Sequence, residues 1–188
     1  MPDTIETLIA TFRAELLRGF DELASGNAFV TDWYEETKTT IAVIHRVAWM
    51  VGQGSKELLP SAEARIDQIV NTQNGFLEAF ANEVADTLDE DTASWATWRN
   101  RIQMYGDAVY ATASEGKYQY WTLPAHPGDG SQICLTNCRC HWEAHIDGPE
   151  EDLNGDFYWR LGGTDHCDTC VGNAARWNPL RIRDGVMQ

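Results

Sequence analysis

Apolar residues recur at intervals of three and four through most of the first 116 residues, the spacing of helices that bury one face. Ile5, Leu8, Ile9, Phe12, Leu16, Phe20 and Leu23 form the first stripe, with Asp3 as its candidate cap and Gly26 as its terminator. A second helix is expected from Thr31 or Asp32, with Glu35 placed as the capping-box partner of Asp32. Its apolar face holds Trp33, Thr37, Ile41, Ile44, Ala48 and Trp49, and Gly52 and Gly54 are expected to break it. Pro60 and Ser61 open a third stripe of Ile66, Ile69, Val70, Phe76, Leu77, Phe80, Val84 and Leu88, with Gly75 inside it. Asp86, Asp89, Glu90 and Asp91 then predict a turn. A fourth helix is expected from about Thr92 to Glu115, striped by Trp95, Trp98, Ile102, Tyr105, Val109 and Thr112 and capped by Gly116. The stripes fit either a bundle or arms that bury themselves on other subunits.

The texture changes after Gly116. Tyr118, Tyr120 and Trp121 suggest a short strand, and Pro124, Pro127, Gly128, Asp129 and Gly130 a turn-rich loop. Residues 138–146 alternate in type and 156–161 are rich in aromatics, so both read as strands. Asp147, Gly148 and Pro149 open the loop between them, and Asn154 and Gly155 close it. The expected fold is therefore α+β: a helical region over 1–116, then a small β-rich module over 117–188.

Charge narrows the function classes. Lys and Arg total 14 against 29 Asp and Glu, a net of −15, which repels a phosphate backbone and argues against broad nucleic-acid binding. Arg176, Arg181 and Arg183 read as solvated tail charges, and Glu150, Glu151 and Asp152 as a solvated loop. No apolar run is long enough to span a bilayer, and the acidic start is unlike a signal peptide. These features point to a reducing cytoplasm, where five cysteines read as metal ligands rather than disulfides.

The cysteines fall in two groups, Cys134-x-x-x-Cys138-x-Cys140-His141 and His166-Cys167-x-x-Cys170. Structural zinc takes four tetrahedral ligands and favours thiolates, so one ion could join the two segments. Strand alternation puts Cys138, Cys140 and Trp142 on one face and His141, Glu143 and His145 on the other. The expected ligands are Cys167 and Cys170 with two of Cys134, Cys138 and Cys140, the remaining cysteine being a small buried hydrophobe. His126 is expected to be exposed, His45 to be a satisfied core histidine, and His166 to stand beside a ligand rather than be one.

A second reading is an enzyme. His141-Trp142-Glu143, followed by Cys167-x-x-Cys170, resembles the signature of zinc deaminases, in which a His and two Cys hold zinc and the Glu moves protons. Deaminases carry a proline where this chain has His166, and that reading leaves Cys134, Cys138 and Cys140 without a task. No phosphate-binding glycine loop is present, and His141-x-Glu143-x-His145 lacks zincin spacing.

Leu123 to Trp142, LPAHPGDGSQICLTNCRCHW, resembles the C-terminal motif of tailed-phage minor head proteins of the Mu F-like type. The matching residues are Pro127 to Ser131, Cys134, and Asn137 to Cys140. Tyr158-Trp159-Arg160-Leu161 leads into Cys167-x-x-Cys170 as an aromatic strand does in that family, although many members carry the two cysteine blocks in the reverse order. The helix WRNRIQMYGDAVYATASEGK is also similar, so the resemblance covers roughly residues 95–180. It implies a non-enzymatic virion component acting near the portal during head assembly, present in the host cytoplasm until packaged. The implied partners are the portal or major capsid protein and further copies of the chain.

Overall fold

The structure, a computed structural model, describes residues 4–88, 94–128, 140–149, 152–162 and 166–188. Helix α1 spans Ile5–Ala24 and buries Leu8, Ile9, Phe12, Leu16, Phe20 and Leu23, the expected stripe. Its cap is Thr4 rather than Asp3: the Thr4 hydroxyl accepts from Thr7 N–H at 3.2 Å. Gly26 does end the helix, at a φ of 74° that favours glycine. The N–H of Asn27 closes the turn on Glu22 O at 2.9 Å.

Helix α2 (Val30–Gln53) begins earlier than expected, from Phe29, and has no side-chain cap. Glu35 makes no capping box and instead meets Lys38 at 3.3 Å, one turn along the exposed face. The buried face is the expected one, with His45 added. Gly54 supplies the left-handed C-cap, but Gly52 does not break the helix. Helix α3 (Pro60–Thr87) starts on Pro60 and runs through Gly75 without interruption. Phe76, placed on its apolar stripe by the sequence, is 40% exposed. Asp86 lies within α3, and Asp89, Glu90 and Asp91 lie outside the described residues.

Helix α4 (Trp95–Lys117) departs most from expectation. Gly116 is not a cap; it lies inside the helix, where α4 crosses α2 with the two backbones in contact. A Cβ on Gly116 would stand 2.5 Å from Trp49 O, and one on Gly52 1.9 Å from Ala113 O. Two glycines facing each other's partner helix remove the side chains that would hold the axes apart. Helix α2 packs on the other three, so the helices form a bundle with a continuous apolar core from Leu8 to Ala113. Arg65 of α3 grips the buried Glu115 of α4 through two hydrogen bonds of 2.7 and 3.0 Å.

His45 is the satisfied core histidine the sequence suggests. It is 1% exposed, and its Nδ1 lies 2.7 Å from the Thr112 hydroxyl across the α2–α4 contact. Burial holds its pKa down at about 4, so the folded chain keeps it neutral. The unfolded chain takes up that proton below pH ~6.5, so stability is complete above that value and falls as pH drops toward 4. The loss attributable to His45 is expected to be about 3 kcal/mol. Unfolding curves of the wild type and of His45→Gln at pH 7 and pH 4.5 check this; equal pH sensitivity in both would remove His45 as a source.

Tyr118, Tyr120 and Trp121 form a turn rather than a strand, closed by Trp121 N–H to Tyr118 O at 2.9 Å. Tyr118 and Trp121 instead bury their rings against Phe157 beneath a sheet. That sheet has four antiparallel strands in chain order: β1 (His141–Ile146), β2 (Gly155–Arg160), β3 (Leu180–Arg183) and β4 (Val186–Met187). Residues 138 and 139 of the expected first strand lie outside the described residues. A short helix, α5 (Asp168–Arg176), joins β2 to β3. The β3–β4 turn holds Asp184 and Gly185 at φ of 50° and 73°, the two-residue turn that follows strand twist. Arg183 is no solvated tail charge: it meets Asp156 at 2.7 Å and donates to Gly155 O at 2.9 Å.

Candidate metal centre

The inner face of the sheet carries Trp142 and Ala144 of β1 opposite Trp159 and Phe157 of β2. Trp177, just past α5, closes on them. Trp142, Trp159 and Trp177 contact one another with centroids 5.1 to 5.6 Å apart. Aromatic rings at such spacings contribute attraction beyond their buried area. The Trp142 indole also donates to Ala125 O at 2.9 Å, which ties the loop before the cysteine block to the sheet.

The cysteines that are described gather at this cluster. Cys140 immediately precedes β1 and is 7% exposed; Cys170 is 1% exposed in the first turn of α5. Cys167 is the N-cap of α5, half-buried against the same rings. The Cys-x-x-Cys pair is thus the start of a helix. The orphan amides and positive dipole end of a helix favour negative charge, so this position suits thiolates. Among the described residues, no three His, Cys, Asp or Glu side chains converge as a metal-holding group. Cys134 and Cys138 lie outside the described residues. The donor set fits a thiolate zinc site only when one or both of them join Cys167 and Cys170.

The polar residues of the enzyme reading sit elsewhere. His141, Glu143 and His145 occupy the outer face of β1, opposite Trp142, as alternation predicts. Glu143 accepts from Arg160 Nε at 2.7 Å and lies 3.0 Å from His145 Nε2. The Arg160 bond, then the His145 bond, pull its carboxyl down to about 2. Arg160 in turn rests on the Tyr158 ring, 4.7 Å from its centroid. A general acid works best with a pKa near the working pH, and this carboxylate is anchored well below it. His141 is exposed on that same outer face, so the described geometry does not bring it to Cys170. His166 is also exposed. His126 is half-buried, not solvent-exposed as expected, beside Trp49, Tyr118 and Trp121.

Sequence reasoning missed the Arg160–Glu143–His145 network and the tryptophan triad. The β1–β2 register brings Arg160 near Glu143 and sets Trp159 opposite Trp142, while the end of α5 delivers Trp177, and no local pattern reveals these partners. A cleft of about 710 Å³ separates the first residues of β1 from the bundle; Arg13, Asp107, Lys117, Cys140, His141 and Trp142 are among its walls. Arg13 and Asp107 form an ion pair across α1 and α4 within it. No helix among the described residues is long and apolar enough to cross a membrane. Compared with protein-family models, curated proteins and solved structures, the chain matches none.

Proposed function

We propose that this chain is a non-enzymatic component of a tailed-phage head, a minor capsid or head morphogenesis protein acting near the portal, whose sheet module is held by one structural zinc ion. The observation that carries the metal half is the pair Cys167 and Cys170 at the N-terminus of α5, set against the same aromatic cluster as Cys140. The proposed ligands are these two with two of Cys134, Cys138 and Cys140. A zinc ion there supplies a fixed tetrahedral crosslink between segments roughly thirty residues apart, in a module whose own core is small. The assembly half rests on the resemblance of residues 123–142 to the Mu F-like head proteins. A catalytic role gains little support from Glu143, which is committed to Arg160 on the opposite face of the strand. The proposed partners are the portal or major capsid protein and other copies of the chain, in the virion and, before packaging, in the host cytoplasm.

Elemental analysis of purified protein tests the metal half. One zinc per chain is expected in the wild type and in His141→Ala, and none in Cys170→Ser. Zinc lost with His141→Ala but retained with Cys140→Ser would replace the thiolate site with the deaminase-like one. For the assembly half, the chain is expected to co-sediment with portal rings or capsid shells on a density gradient. A chain that stays at the top of the gradient with both particles is not a head component of this kind.

A further inference from the structure

Antiparallel pairing bonds every second residue of a strand to one neighbour and turns the N–H and C=O groups of the others away. The β1–β2 ladder continues into a bond from Asp147 N–H to Asn154 O of 2.8 Å, which makes the odd-numbered residues of β1 the ones bonded to β2. Trp142, Ala144 and Ile146 therefore direct their main-chain groups to the outer edge of the sheet. The Tyr118 hydroxyl donates to Trp142 O at 3.2 Å, but among the described residues nothing bonds the outward groups of Ala144. The opposite edge of the sheet, β4, is two residues long, whereas β1 is a six-residue edge without proline. An edge of that length with open main-chain groups is a template for another strand.

We propose that β1 pairs antiparallel with β1 of a second copy about a twofold axis at Ala144, joining the two sheets into one. The sequence of the strand is complementary to itself in that register. Glu143 faces His145 of the second copy, and His141 faces Asp147 of the second copy, so each outer-face pair couples an acid to an imidazole. On the inner face Trp142 meets Ile146 of the second copy. Centring the axis on Glu143 sets that carboxylate against itself. Centring it on His145 sets Glu143 against Asp147 and the two His145 rings together. Of these three, only the Ala144 centre sets no two acids and no two imidazoles together across the axis. The same register brings Asp147 and Gly148 of the second copy to the mouth of the cleft beside Cys140–Trp142, where Lys117 offers opposite charge. A twofold pairing is closed, so it makes a dimer rather than a fibre. The inference does not depend on whether the cysteines hold zinc.

Sedimentation equilibrium of the full chain tests it with two variants. In Ala144→Pro the outward N–H is gone, and a proline whose nitrogen faces away from its neighbour is tolerated at a sheet edge. Asp147→Lys changes a side chain that is 67% exposed and 3.7 Å from Arg183, and sets it against Lys117 of the second copy. The wild type is expected to dimerise, with the dissociation constant raised about 100-fold by Ala144→Pro and about 10-fold by Asp147→Lys. Should Ala144→Pro fail to fold, Asp147→Lys alone decides. A wild type that stays monomeric to about 100 μM overturns the proposal. So does any oligomer that survives both substitutions, or a folded Ala144→Pro that still dimerises.

Discussion

Replacing Gly52 with alanine is expected to lower the midpoint of thermal unfolding by about 10 °C, the largest effect of any single methyl group in the bundle. The added carbon would lie 1.9 Å from Ala113 O, 2.8 Å from Ala113 C and 3.0 Å from Lys117 N. All three are backbone atoms, so no rotamer change can clear them. Helix α2 must move away from α4, and the shift strains the 2.7 Å contact between His45 and Thr112 and the packing of Trp49 against Gly116. Overpacking typically costs about 1–3 kcal/mol, and a backbone collision belongs at the top of that range or above it. Gly75→Ala is the matched control. Its new methyl meets nothing within 4 Å in the middle of α3, so it is expected to stabilise by up to about 1 kcal/mol through helix propensity. Paired thermal melts read both. Similar midpoints for the two variants would mean that α2 and α4 do not cross as closely as described.

Removal of the proposed zinc is expected to melt the sheet while the bundle survives. The main apolar core of the bundle, from Leu8 to Ala113, is separate from that of the sheet module, from Tyr118 to Ile182. A module below about 70–80 residues seldom draws more than about 5 kcal/mol from its core, and structural zinc contributes on the order of 10 kcal/mol. Hydrogen exchange followed by mass spectrometry separates the segments. After chelation, amides of β1, β2 and β3 should exchange freely and regain protection when zinc is restored, while α1 to α4 stay protected. Unchanged protection in the sheet after the metal is stripped would show that the aromatic cluster suffices alone and that the staple is not needed.

The parts of this fold that could be read from the sequence are those governed by repeating physics. The stripe of α1 and the face of α2 follow from a period of 3.6, and the sidedness of β1 from a period of two. What stayed hidden depends on partners far along the chain. Gly116 followed by Lys117 looks like a helix end because nothing local announces Trp49 on the other side. Tyr118 and Trp121 look like strand residues because they are aromatic, but their rings are claimed by Phe157. Asp184-Gly185 is a strong hairpin signal whose flanking strands, four and two residues long, are too short to show alternation. Helix α5 was obscured for a different reason: Cys167 and Cys170 are noticed as ligands before they are noticed as an N-cap and a first turn. The face of β1 shared by His141, Glu143 and His145 was legible, but not the Arg160 bond that fixes Glu143.

The eight tryptophans of the chain are divided evenly by the fold, four on helices α2 and α4 and four in the sheet module. Three of the latter touch one another at centroid distances near 5 Å. Indoles that close can couple their electronic transitions, so the sheet module is expected to show a circular-dichroism couplet built from Trp142, Trp159 and Trp177. Elsewhere Trp95 and Trp98 form the comparable pair, at one end of α4. Both halves of the molecule are therefore expected to add a coupled-indole signal to the circular dichroism of the folded chain, beyond that of its backbone.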